Sequence, residues 1–271
     1  MKKQIAAPAV ILIVLLFLYA PILILAFFSF TDASQIGTFQ GFTWQNYVTL
    51  FTTEELRDMI VGTVVLALGS SLISAVLGTL GAVGSFYSRK GIASLYNTVN
   101  QVPVINADVV TGFSACILLV VVLGVDKESF VPLVIGHVIL SAPFVYLSVM
   151  PKLKQMDPAL YEAALDLGAT PFTSLIKVTL PQIFPGILSG FMLAVTLSLD
   201  DYFIATYTKP ATFDTISTYV VNATKGSHTE IKTALWALST VIFLLVLVVV
   251  ICMNLSNRKK TVSTYGKEAA R

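Results

Sequence analysis

The chain has 271 residues, 56% of them hydrophobic and 12% charged, with a formal net charge of +2 at pH 7. Its mean hydropathy of +0.83 lies far outside the range of soluble globular domains. The alternating strand pattern of a membrane barrel is also missing, so an all-α, polytopic bundle in a lipid bilayer is expected, as one transmembrane domain over 1–271.

A helical span needs about 20 mostly apolar residues to cross a bilayer. Six stretches qualify, at about 5–30, 59–87, 105–124, 130–150, 183–205 and 233–255. The first follows Lys2 and Lys3, as a signal peptide would, but its apolar run is too long and carries no small-x-small cleavage site. It is expected to remain as a span. The connection after it holds Phe39, Phe42, Trp44 and Tyr47, aromatics suited to the headgroup level. On the second span, Gly69-Ser70-Ser71 and Gly78-Thr79-Leu80-Gly81 would let neighbouring helices approach closely. An amphipathic piece from Ile92 to Val102, ending at Pro103, precedes the third span.

Lys and Arg resist translocation, so their distribution orients the bundle. One face carries Lys2, Lys3, Arg89, Lys90, Lys152, Lys154, Lys177 and the basic residues after position 257; the other has only Arg57, Lys127, Lys209, Lys225 and Lys232. Both termini are therefore expected in the cytoplasm.

The segment 151–181 is the polar exception in the chain. Asp157-Pro158 and Thr170-Pro171 each match an N-cap followed by proline at the first helical position. Gly168 lies where a first short helix must stop and supplies a left-handed C-cap. Helix, glycine corner, second short helix is the expected order, with Pro181 and Pro185 at the entry to the fifth span. So much local design on the cytoplasmic side reads as a docking surface. Ala163 and Ala164 keep one face slim, and Glu162 and Asp166, four residues apart, offer charge to a basic partner.

This segment resembles the EAA loop of ATP-binding-cassette importer permeases: Glu-Ala-Ala, three residues, Gly, nine residues, Ile, one residue, Leu-Pro. The match falls on Glu162, Ala163, Ala164, Gly168, Leu180 and Pro181, with Val178 where Ile is usual. The resemblance implies that the loop docks into a dimer of cytosolic ATPase subunits. The chain itself has no Gly-x-x-x-x-Gly-Lys-Ser/Thr phosphate loop. ATP and Mg are therefore expected on the partner subunit, with no cofactor on this chain and no enzymatic activity of its own.

Carboxylates at bilayer depth persist mainly where they face a cavity or a partner. Three fall within the spans: Asp108 in the third, and Asp200 with Asp201 in the fifth. At about 1.5 Å per residue the pair lies roughly 30 Å along the fifth helix from Pro181, near its outer end. Asp108 is expected nearer the cytosol, giving a path with two stations for a cation. The alternative for the pair is that one member caps a helix end or pairs with a loop lysine such as Lys209. Tyr202 and Tyr207, with Trp236, could add cation–π contacts for an amine. His137 in the fourth span and His228 in an outer loop are isolated and read as structural. Cys116 and Cys252 read as packing residues, and no metal site is expected.

Across its whole length the chain further resembles the spermidine/putrescine permease family, in its second-permease branch. The residues that carry this are Asn106-Ala107-Asp108-Val109-Val110-Thr111-Gly112 and Thr196-Leu197-Ser198-Leu199-Asp200-Asp201-Tyr202, with Ala107 where that family commonly has proline. The resemblance implies polyamine import across a bacterial inner membrane by a heterodimer with a homologous permease, fed by an extracytoplasmic substrate-binding protein. Asp108, Asp200, Asp201 and Tyr202 would line the substrate path. No nucleic-acid partner is expected. An ABC permease for thiamine, iron or phosphonates, an ion-driven secondary transporter using Asp108, and a scaffold that transports nothing remain open alternatives.

Overall fold

The structure is a computed structural model that describes residues 2–31, 41–225, 235–244, 247 and 251. Among these, helices named here in chain order are α1 (Lys2–Phe28), α2 (Gln45–Thr52), α3 (Glu54–Tyr87), α4 (Lys90–Ile105), α5 (Asp108–Cys116) and α6 (Val131–Gln155). They are followed by α7 (Pro158–Asp166), α8 (Pro171–Ser174), α9 (Leu180–Asp200), α10 (Phe203–Thr208) and α11 (Ile216–Lys225). Four helical stretches are long and apolar enough to cross a bilayer, or five if the bent pair α4 and α5 is one span. The chain is thus an all-helical, polytopic membrane bundle. The expected last span, 233–255, lies only in part within the described residues, which show an apolar helix over Leu235–Leu244.

Contacts divide the chain into two compact units, Met1–Arg57 with Asn222–Arg271, and Asp58–Val221. In the first unit, Tyr19 and Phe28 of α1 set their rings against Phe243 and Trp236. The rings of Phe30, Phe42, Trp44 and Tyr47 form a cluster beside α2, and buried Asn46 ties it down by donating to the carbonyl oxygens of Ser29 and Thr31.

The second unit is organised by α6. Here α9 packs along α6, and Val145, wholly buried, is gripped from two sides: a Cβ at Gly78 of α3 would lie 2.7 Å from its Cβ, and one at Gly190 of α9 3.0 Å from its Cα. The small residues expected to permit close packing do so at Gly78, whereas Gly69 has open space beside it. Hydroxyls satisfy one another across the same seams, Ser74 with Ser141 at 2.7 Å and Ser70 with Ser198 at 3.3 Å. In an apolar bundle such pairs add specificity at modest energy.

Two helices depart from the sequence expectation. The third span is not a straight helix over 105–124: α4 and α5 meet at a 106° bend at Asn106 and Ala107, both in extended backbone. α4 also runs past Pro103, its last turn closed by the Asn106 amide on the Val102 carbonyl. The second departure is α8, expected as a separate short helix. It continues through π-helical turns at Leu175–Thr179 into α9, so that Pro171–Asp200 is one helix with Pro181 and Pro185 inside it. Wider π turns just before Pro181 relieve the clash that proline makes with the carbonyl four residues back. The second arm of the hairpin is thus continuous with the span it precedes.

Candidate functional site

One end of α9 carries the hairpin. Asp157 accepts a hydrogen bond from the Ala159 amide at 3.0 Å and starts α7; Thr170 accepts from the Thr173 amide at 3.3 Å and starts α8. Gly168 turns the chain between them at φ +85, a conformation that costs a residue with a Cβ roughly 1–2 kcal/mol. The root of α7 is fastened by Tyr161, whose ring lies 5.2 Å from that of Tyr87 at the end of α3, and by buried Met156. A cavity of about 320 Å³ opens there, lined in part by Tyr87, Tyr161 and Glu162. Glu162, Ala163 and Asp166 are exposed and Ala164 is half-buried. Leu160, Leu167, Phe172 and Ile176 present exposed apolar surface on the same hairpin. Leu180 and Pro181 are exposed near the start of α9.

The other end of α9 opens on a cavity of about 500 Å³, lined by Asn106, Ala107, Asp108, Asp200, Asp201 and Tyr202 together with Val104, Leu140, Phe144, Leu197 and Phe203. Two helix breaks build it. Asn106 and Ala107 turn the chain so that α5 begins at Asp108, where a carboxylate complements the helix dipole, and Asn106 donates to Thr111 Oγ1 at 3.2 Å. At the second break α9 ends on Asp200 and α10 begins at Phe203. All the expected substrate-path residues meet here, but the two stations do not: Asp108 lies at the same cavity as Asp200 and Asp201, because the bend carries the start of α5 up to the α9–α10 break.

The three acids have different surroundings. Asp108 and Asp200 are exposed to the cavity. Asp201 is 8% exposed; its Oδ1 accepts from the Ile204 amide at 3.2 Å and its Oδ2 from the Ala205 amide at 2.7 Å, capping α10. The helix-capping alternative therefore describes Asp201, and Lys209 pairs instead with Asp214 at 3.0 Å. α10 sits in a slot between α5 and α6: a Cβ at Gly112 would lie 2.9 Å from Ile204 Cα, and one at Gly136 2.7 Å from Ile204 Cγ2. Tyr202 lines the cavity with its ring 5.2 Å from that of Phe203, whereas Tyr207 turns its ring to Phe113. Trp236 stands in the other unit against Phe28.

Sequence reasoning set aside His137, which the fold buries 3.8 Å from Asp201. The signal was present, since an ionisable side chain inside a span calls for a partner. The acids in the neighbouring spans were the candidates. His228 and Cys252 lie outside the described residues; Cys116 is a free thiol, partly exposed.

A polytopic helical bundle with an acidic cavity at one end of a long helix and a capped surface hairpin at the other has the form of a membrane permease. Residues 3–262 match the family described as "Binding-protein-dependent transport system inner membrane component". The chain belongs to that family: it is a multi-pass, inner-membrane permease subunit of an ABC importer, a transport subunit and not an enzyme.

Among its relatives, the spermidine/putrescine transport system permease protein PotC of Escherichia coli (strain K12) is 31% identical over 252 residues, covering 92% of this chain and 93% of that one. The putrescine transport system permease protein PotI of the same strain is 31% identical over 236 residues, covering 83% and 81%. In fold the chain is similar to a subunit of a bacterial ABC transporter involved in import of the acidic polysaccharide alginate, with a TM-score of 0.73 at 23% identity over 95% of each chain. An amino acid ABC transporter is more distant, with a TM-score of 0.56 at 18% identity, covering 79% of this chain and 96% of that one.

Proposed function

We propose that this permease imports polyamines, and that Asp108, Asp200 and Tyr202 line the path the cargo takes. The observation that carries the reading is the lining of the larger cavity: three carboxylates, three aromatic rings and no lysine or arginine. A short polyamine is a flexible chain with an ammonium group at each end, so separated carboxylates and ring faces match it, while an anion would be repelled. The names of the two relatives at 31% identity point to the same cargo. Asp201 lines the same cavity with its carboxylate turned onto the α10 amides, and holds α10 in place.

In this reading the chain is one permease domain of six spans in the type I importer arrangement, with both termini in the cytoplasm, and pairs with a homologous permease. The hairpin at 151–181 docks on a dimer of cytosolic ATPase subunits, which hold the ATP and Mg. Glu162, Ala163, Ala164, Asp166 and Gly168 form its contact surface, and Leu180 and Pro181 join it to α9. ATP-driven closure of the ATPases moves the hairpin; α9 carries the motion to the cavity, which opens outward to take the amine from a binding protein. The fused Pro171–Asp200 helix supports this, since a rigid rod transmits displacement without loss at a hinge.

Reconstitution with candidate ATPase, partner permease and binding protein tests the cargo. Labelled spermidine should enter vesicles only with ATP, and unlabelled putrescine should compete. Uptake of thiamine or a phosphonate in place of any polyamine would overturn the assignment, and uptake that continues without the ATPase would point to a secondary transporter.

A further inference from the structure

His137 stands one layer behind the acidic cavity, and the proposed path makes no use of it. Its side chain is wholly buried on α6. Nδ1 lies 2.9 Å from the Leu133 carbonyl oxygen, an atom that can only accept, so the proton of a neutral ring belongs on Nδ1 and Nε2 is left with a lone pair. That lone pair faces Asp201 Oδ2 across 3.8 Å, and Nε2 has no hydrogen-bond partner among the described residues. A lone pair and a carboxylate facing each other in a buried site repel. One proton on the pair makes it neutral overall and turns the repulsion across that gap into attraction.

We propose that His137 is a positioning residue of the permease: the proton it shares with Asp201 latches the α9–α10 break, and with it one wall of the acidic cavity, to α6. Asp201 caps α10 through the Ile204 and Ala205 amides, and Ile204 is the side chain seated between Gly112 and Gly136. Loss of the proton leaves the pair with one net negative charge, beside Asp108 and Asp200. An arriving cation favours that state, so cargo binding and proton release are linked.

Polar and charged groups on the elements around α6 face the cavity or are engaged elsewhere. Asp108 opens α5 and Asp200 closes α9, both on the cavity. α3 meets α6 through Ser74 on Ser141, and α4 through Tyr96 on Tyr146. Lys127 is engaged by the carbonyl oxygens of Tyr207 and Lys209, and Lys209 by Asp214.

The link to uptake rests on the cavity being the cargo path; the latch itself does not, so its test uses no cargo. The full-length chain in its purified transporter complex is melted between about pH 5 and about pH 8, where histidine ordinarily changes charge. A latch that holds a proton stabilises at the acid end and is lost as pH rises. The wild-type midpoint should therefore fall more steeply with pH than that of His137→Gln, whose amide can donate to Asp201 without titrating. His137→Gln should also melt above His137→Phe, which leaves the buried carboxylate with no donor on its α6 side. Parallel pH slopes for the wild type and His137→Gln would overturn the latch. Amine uptake by the same preparations keeps the two readings apart: failed uptake beside the expected melting difference sinks the cargo assignment alone.

Discussion

The two ends of α9 are built by opposite means. At the hairpin, caps, proline and glycine act within a few residues of one another: Asp157 on Ala159, Thr170 on Thr173, and Gly168 at positive φ between them. At the cavity, Asp108, Phe144 and Asp200 come from three separate helices and meet only because two helices break at the same place. The docking role proposed for the hairpin asks for a fixed shape, and a fixed shape can be specified locally. The proposed substrate chamber is assembled from separate helices, and the placing of its α10 wall depends on packing several residues away, at Gly112 and Gly136.

Substitutions that damage one end while sparing the other test this division. The largest effect is expected from Gly168→Asp or Glu162→Lys: the chain should reach the membrane, but ATPase subunits should no longer co-purify and uptake should be lost. Normal recruitment in both variants would remove the hairpin from the coupling role. Next comes Gly112→Val, which pushes side-chain atoms into the Ile204 backbone 2.9 Å away and should cost about 1–3 kcal/mol. Uptake should collapse while the ATPase still binds, as read by pull-down and transport on the same sample.

A smaller loss, about tenfold in uptake, is expected for Asp108→Asn and for Asp200→Asn, since each removes one charge-assisted contact of about 1.5 kcal/mol. Unchanged uptake in both would separate the cavity from the cargo. Smallest is Thr170→Ala, which removes a helix cap worth about 1 kcal/mol and should lower thermal stability slightly, with ATPase recruitment retained.

The hairpin was legible because its signals are local in sequence. Asp157-Pro158, Thr170-Pro171 and Gly168 state where helices start and stop, and the caps form as read. The fusion of α8 with α9 was missed because Pro181 reads as a helix entry; π turns, which leave no mark in composition, let the helix pass through it. The acids were legible as a class, since apolar spans make any carboxylate conspicuous, but their depths were not. A count of 1.5 Å per residue holds for a straight helix, and the third span bends by 106°. Capping separated Asp201 from Asp200: adjacent on the chain, one faces the cavity and the other turns back onto the amides of α10.

By itself the sequence determined the membrane, the helical class and the capped hairpin, because hydropathy and capping are set by neighbours along the chain. The tertiary structure alone decided that Asp108 joins Asp200 and Asp201, that Asp201 serves α10, and that His137 lies behind it. The first and last of those relations join residues about 60 to about 95 positions apart, and only the bends and the glycine-lined slot bring them within reach; the Asp201 cap is local, on amides three and four residues on.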